Sequence, residues 1–189
     1  MISINDSPVT HLQTASEWDE LMEKYIIPSH PKQIVEIGSF FGATLWSFIV
    51  NSPELEKIVS VDLSIPQDDG RYAEMVRSKE QWKEWSDKVV AIEGDSQSLS
   101  TVGQVMREVG DVDILFIDGD HSYNGASTDY MMYNSLVREG GMIVFHDSEG
   151  YDTIKRLTTE LEPYNKFVRI SHPGGWGLFI LYKKRYDIN

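Results

Sequence analysis

Gln33-Ile34-Val35-Glu36-Ile37-Gly38-Ser39-Phe40-Phe41-Gly42-Ala43-Thr44 is the stretch that decides the fold. A β-branched run ends at glycine, and 43–50 then reads as a helix with Leu45, Phe48 and Ile49 on one face. Glycine at the strand end lets the backbone turn tightly and lets a ligand approach it. Outward from this unit the same alternation recurs. Further strand-like runs lie at 57–63, 89–92, 112–118 and 142–145, the last introduced by Gly140-Gly141. The run 112–118 is the most hydrophobic and is expected at the centre.

Helices are expected between these strands. Ser98 or Ser100 can cap one that runs to Val109, with Leu99, Val102, Val105 and Met106 inward. Others are expected at 125–137 and 152–161. Tyr72, Met75, Val76, Trp82 and Trp85 are spaced for a surface helix within 70–87. A leader at 16–25 reads as an amphipathic helix packed on the outside. Two final strands, 167–170 and 177–182, are joined by His172-Pro173-Gly174-Gly175-Trp176, a hairpin signal. Strands alternating with helices predict a parallel sheet covered on both faces, with ligands at the carboxyl ends of its strands.

The composition narrows the partners. The chain has 189 residues, 41% apolar and 25% charged, as an ordinary folded domain does. Thirty acidic residues against 17 basic ones give a formal charge of −13. That sign repels nucleic acid and anionic membranes and suits a cationic small ligand. The densest basic run is Lys183-Lys184-Arg185. There are no cysteines, so thiolate metal sites, disulfides and cysteine nucleophiles are excluded. Residues 1–10 lack signal-peptide character and no apolar run approaches membrane-span length, so a cytoplasmic protein is expected.

Polar residues gather where strands end: Glu36, Asp62, Asp95, Asp118 and His146-Asp147. The competing reading is that strand ends meet polar loops. The first turn is not the dinucleotide fingerprint, because Phe40 stands where the pyrophosphate needs bare backbone. Glu36 would repel a diphosphate and suits an ammonium group. Asp62, 26 residues later, can accept from both ribose hydroxyls. Gly94-Asp95-Ser96 can receive an adenine amino group, although it is also ordinary turn chemistry.

The most specific motif is Phe116-Ile117-Asp118-Gly119-Asp120-His121-Ser122-Tyr123, with Phe145-His146-Asp147 as its partner. Neighbouring strands lie about 4.8 Å apart. Asp118 and Asp147 can therefore converge on one divalent cation, with His146 or water completing the shell. Carboxylates with water suit Mg2+ or Mn2+, and an added imidazole shifts preference toward manganese, iron or another transition metal. The competing reading is that Asp120 and His121 only cap the next helix.

These motifs, in this order, resemble the class I S-adenosylmethionine-dependent methyltransferases. The branch they resemble most is the metal-dependent O-methyltransferases, and within it the macrocin O-methyltransferase and cephalosporin-hydroxylase-like group. The likeness spans about residues 33–147 and the final hairpin. It implies a Rossmann-like, doubly wound α/β fold: a mostly parallel seven-stranded sheet with a C-terminal antiparallel hairpin strand and helices on both faces. It implies one methyltransferase domain over 1–189, with 1–30 as a helical leader. Glu36, Gly38, Ser39 and Gly42 would line the methionine part of the cofactor, Asp62 would bind the ribose, and Asp95 with Ser96 the adenine. Asp118 would border the cofactor and, with Asp147, would hold the metal. His121, three residues beyond the first metal acid, would be the general base. Macrocin-type relatives carry a glutamate where this chain has His146.

Two hydroxyls on adjacent carbons can chelate one metal, so the expected acceptor is a small molecule or glycan, such as a sugar diol or a catechol. Phe40, Tyr123 and Trp176 are suited to line its pocket, and its lid would come from the leader, from 67–85 or from the loop around Trp176. Two other functions fit parts of the pattern. A non-catalytic module that keeps the cofactor fold is the reading favoured by His146. An NAD or nucleotide-sugar dehydrogenase is opposed by Phe40 and Glu36.

Overall fold

A computed structural model of the chain describes residues 1–8, 11–63 and 86–184. Seven strands form one sheet in the order β3-β2-β1-β4-β5-β7-β6. They are β1 (Gln33–Ile37), β2 (Lys57–Asp62), β3 (Val89–Glu93), β4 (Val112–Ile117), β5 (Val137–His146), β6 (Lys166–Ile170) and β7 (Leu178–Tyr182). The first five run parallel, and β7 pairs antiparallel with both β5 and β6. This is the expected α/β sheet, with β4 at its middle and every residue of β4 buried.

Helices α1 (Ala15–Leu21), α2 (Ala43–Asn51), α3 (Leu99–Glu108), α4 (Tyr123–Tyr133) and α5 (Asp152–Leu161) flank the sheet. Two apolar clusters result. One gathers Trp18, Phe48, Phe116 and Ile180, and the other Val35, Leu115, Phe145 and Phe179. Along β4 the side chains alternate between them, as strand geometry requires. Trp18, Phe48 and Phe116 meet edge to face, with centroids 5.3–5.7 Å apart.

The leader helix is more than an outer cover. Trp18, Leu21, Met22 and Ile26 are fully or almost fully buried, and the Trp18 indole N–H donates to Ser47 Oγ at 2.8 Å. It continues through a π turn, Met22–Ile26. At the opposite edge of the sheet from the strand-end acids, Asp113 Oδ2 accepts from the N–H groups of Lys32 and Gln33, at 2.7 and 2.8 Å, and fixes the start of β1.

Several expectations need correction. On α3, Ser98 is the cap and Val102 and Val105 are buried, but Leu99 and Met106 are exposed. The helix is short and only one narrow face reaches the sheet. The expected helix at 125–137 starts and ends earlier, since Val137 already pairs with Val112 in β5. Gly140-Gly141 therefore lies within β5 and does not introduce it; an ideal Cβ on Gly141 would stand 2.9 Å from the Asp113 carbonyl oxygen. The expected surface helix at 70–87 falls almost wholly outside the described residues. No helix among the described residues is long and apolar enough to cross a membrane.

Candidate functional site

Strand order reverses between β1 and β4, the place where such sheets bind ligands. A cavity of about 920 Å³ opens there. Five carboxylates line it: Asp62, Asp95, Asp118, Asp120 and Asp147. No lysine or arginine is among its described lining residues.

The glycine turn builds one wall. Gly38 (φ +86°) and Gly42 (φ +81°) adopt left-handed backbone, and so does Phe40 (φ +48°) between them. A Cβ at Gly38 would stand 2.1 Å from the carbonyl oxygen of Asp118, so β1 and β4 meet there with no room for a side chain. Asp62 Oδ2 accepts from the N–H groups of Ser39 and Phe40, at 2.8 and 2.9 Å. The acid expected to meet a ribose thus also holds the turn in shape. Ser39 Oγ is buried at the cavity wall without a hydrogen bond of good geometry, and its hydroxyl lies near enough to Glu36 to lower that carboxyl's pKa. Half-exposed Phe40 projects where a pyrophosphate would need bare backbone.

Not every sequence-predicted residue reaches the cavity. Glu36 and Gly42 stand behind its wall. Glu36 is fully buried and accepts from Ser60 Oγ at 2.6 Å and from Thr44 Oγ1. Burial pushes its pKa up to about 7, against the opposing effect of the Ser60 and Thr44 hydroxyls. Gly94, Asp95 and Ser96 do line the cavity. Ser96 Oγ donates to buried Asp129 at 2.7 Å, and Tyr133 Oη donates to the Ser96 carbonyl at 2.8 Å. These α4 residues carry no motif that sequence reading could single out. Burial raises the Asp129 pKa to about 6.

The floor is the acid and histidine cluster. Asp118 follows β4, and His146 ends β5 with Asp147 (φ +60°) just beyond it. Asp118, His121 and Asp147 each offer a ligand atom within 4.8 Å of the others. His121 Nε2 lies 2.8 Å from Asp147 Oδ2 and 3.5 Å from Asp118 Oδ1. His146 Nδ1 lies 3.0 Å from Asp147 Oδ1 and 3.3 Å from Asp118 Oδ1. Neither nitrogen has a hydrogen bond of good geometry, although both are buried. Two carboxylates and two imidazoles face one small space, and the ligand atoms of Asp118, His121 and Asp147 are close enough together to fit a divalent cation.

Electrostatics point the same way. Asp118 and Asp147 hold His121 protonated, with its pKa raised to about 9 against the effect of burial. Burial would push the Asp147 pKa up, but the two imidazoles hold it down at about 2. A divalent cation on the same carboxylates would replace that positive charge and lower the His121 pKa again.

Asp120 and His121 divide the two roles that competed for them. Asp120 accepts from Ser122 N–H and Oγ at the start of α4, whose cap is Ser122. His121 turns into the cluster instead. Its ring stacks on Tyr151 at a centroid distance of 4.4 Å, and Tyr151 lies 6.1 Å from Trp176. Trp176 and Phe40 line the cavity as expected, but Tyr123 does not; its hydroxyl is taken by Glu160 on α5. The leader contributes His11, Leu12 and Gln13, and Gln13 Nε2 donates to Asp118 Oδ2 at 3.3 Å. Nothing in the sequence around Gln13 marks it, because only the fold brings it to Asp118.

This sheet order, glycine turn and acidic carboxyl edge define the class I methyltransferase fold. The chain belongs to a family described as "Methyltransferase domain", whose sequence model matches residues 35–148. It is 30% identical over 118 residues to an uncharacterized protein of Acanthamoeba polyphaga mimivirus, covering 62% of this chain and spanning only 52% of that relative. A putative caffeoyl-CoA O-methyltransferase from Staphylococcus aureus superposes with TM-score 0.71 at 16% identity, over 95% of this chain and 87% of that one. The O-methyltransferase from Bacillus cereus, solved with SAH, gives 0.65 at 18% identity, over 95% and 86%. MycE methyltransferase of the mycinamycin biosynthetic pathway, solved with Mg, SAH and mycinamycin VI, gives 0.65 at 17%, over 96% and 51%. At these identities the structural likeness is one of fold.

Proposed function

We propose that the chain is a single catalytic domain with a helical leader, and that it transfers the methyl group of S-adenosylmethionine to a hydroxyl of a small molecule or sugar. One observation carries this reading. A cavity at the strand-order reversal is lined by five carboxylates with no lysine or arginine among its described lining residues, and it ends on Asp118, His121 and Asp147. Such a surface suits a cationic ligand and opposes a dinucleotide.

Bound there, S-adenosylmethionine supplies an electrophilic methyl group on a sulfonium, and a divalent cation, Mg2+ or Mn2+, acidifies the acceptor hydroxyl. The protein's own groups do the rest. Gly38, Ser39 and the turn braced by Asp62 shape the methionine and ribose end. Asp95 and Ser96 border the adenine end, with Ser96 fixed by Asp129. Asp118 and Asp147, with the enclosed His146, would hold the cation. His121 is the more exposed imidazole, at 35% against 6% for His146. It faces the same carboxylates from the open side, which supports it as the acceptor of the hydroxyl proton once a bound cation has lowered its pKa. Holding both reactants in one cavity supplies the orientation that an in-line displacement needs. The fold neighbour MycE, solved with Mg, SAH and mycinamycin VI, supports a small-molecule acceptor.

Calorimetry with S-adenosylmethionine and S-adenosylhomocysteine, with and without Mg2+ or Mn2+, tests the reading. Micromolar binding that Asp62→Ala weakens is expected. No binding under any condition would reject it. Binding that is indifferent to both cations, with turnover that survives excess chelator, would reject the metal part alone.

A further inference from the structure

We propose that Glu17 is a positioning residue for the candidate site: its buried carboxylate fixes the 172–177 turn so that Trp176 backs Tyr151 and Tyr151 backs His121. The inference rests on the reading of His121 as the proton acceptor.

Glu17 lies on α1, is 1% exposed, and reaches across to the turn between β6 and β7. Its carboxylate accepts three backbone N–H groups: His172 at 2.8 Å, Trp176 at 3.1 Å and Gly177 at 3.0 Å. A buried carboxylate is costly unless it is hydrogen-bonded, so this arrangement strongly favours one shape of the turn. The turn is fitted to it. A Cβ on Gly175 would stand 2.2 Å from Glu17 Oε1, and Gly177 has φ +77°.

Trp176 joins this clamp to the reactive cluster. Its N–H goes to Glu17, while its carbonyl accepts from the N–H groups of Glu149 and Gly150, at 2.8 and 2.9 Å. Those residues lie two and three positions after Asp147 in the chain. The indole lies on Gly150, where a Cβ would stand 2.3 Å from Cε3. Tyr151 lies nearly parallel to Trp176, at 24°, and His121 nearly parallel to Tyr151, at 26°. The contacts from Glu17 to His121 are therefore continuous. Tyr151 and Trp176 also line the cavity and stay about two-fifths exposed, so the clamp shapes the wall that an acceptor would touch.

A carboxylate that merely fastened a surface turn would make the same three hydrogen bonds, so the test must read His121. The full-length protein is labelled at histidine, and the His121 Cε1–H signal, assigned by its loss in His121→Asn, is recorded at one fixed pH. Glu17→Gln keeps the shape but offers a single acceptor oxygen. It is expected to raise amide exchange at Trp176 and Gly177 by at least about tenfold and to move the His121 signal further than Glu20→Gln does. Glu20 is the control because it touches the same turn only through the His172 ring. Trp176→Leu, which leaves the backbone bonds in place, is expected to move the same signal.

Faster exchange with the His121 signal unmoved would overturn the proposal. If Glu17→Gln does not fold, an unmoved signal in Trp176→Leu would overturn it equally. The experiment uses no cofactor. Failure of the wild-type protein to bind S-adenosylhomocysteine therefore rejects the methyltransferase reading separately.

Discussion

His121 Nε2 lies 2.8 Å from Asp147 Oδ2, a contact between the loop after β4 and the residue after β5. The two strands are hydrogen-bonded neighbours in parallel register, so their carboxyl ends emerge side by side. Asp147 takes left-handed backbone at once, which keeps its carboxylate inside the cluster. The pair thus ties the strand-end acids to the more exposed of the cluster's two imidazoles.

Removing one carboxylate should release that imidazole. Asp118 and then Asp147 raise the His121 pKa to about 9, while burial lowers it. In Asp147→Asn the midpoint should fall toward the ordinary value of about 6.5, read by NMR titration of the His121 ring. Mn2+ affinity, read by calorimetry, should fall by roughly tenfold or more. A midpoint that stays near that of the wild type would show that Asp147 does not set the charge of His121.

Asp62 braces the glycine turn through two N–H bonds to one oxygen. Asp62→Ala removes both, and hydrogen bonds to a charged group contribute about 1.5–3 kcal/mol each. S-adenosylhomocysteine affinity should fall by roughly 10- to 100-fold. Asp62→Asn keeps an acceptor oxygen and should lose less. Equal losses in the two variants would mean that the charge, not the brace, matters.

Gly38 tolerates no side chain. Gly38→Ala would place Cβ 2.1 Å from the Asp118 carbonyl oxygen, on backbone at φ +86°. Strain of that kind costs about 1–3 kcal/mol before the clash is counted. A urea midpoint well below that of the wild type is expected, together with loss of S-adenosylhomocysteine binding. A variant with wild-type stability would contradict the close meeting of β1 and β4.

Why Gly38 and Asp118 were legible in the sequence while Gln13 and Glu17 were not is a matter of range. Short β-branched and apolar runs that end in acids are local signals, and they located the sheet, the glycine turn and the cluster at the ends of β4 and β5. Leu99 and Met106 misled because helical spacing says which residues share a face, not how wide a face the sheet will cover. Tyr123 misled because an aromatic near a motif can as well pack outward, here under Arg156 and against Glu160. Gln13 meets Asp118 across 105 positions and Glu17 meets Trp176 across 159. A lone glutamine or glutamate on a leader has no periodicity that could announce such a partner.

Glu36 gives the fold a pH dependence whose sign is set by its burial. The carboxyl has an ordinary value of 4.5 and is pushed up to about 7 in the folded chain. Between these values the unfolded chain loses the proton that the folded chain keeps, so the unfolded state gains stability as pH rises. The contribution of Glu36 to folding is therefore complete below about pH 4.5, falls through the window from 4.5 to 7, and levels off above it. The full swing is on the order of 3 kcal/mol. Glu36→Gln cannot ionise and still offers an oxygen and an amide to the Ser60 and Thr44 hydroxyls. Its urea-unfolding free energy should vary less with pH across that window, and near pH 8 the variant should match or exceed the wild type in stability. If the two proteins instead show the same pH slope from 4.5 to 7, Glu36 is ionised in the folded chain. The two hydroxyls would then outweigh the cost of burying its charge.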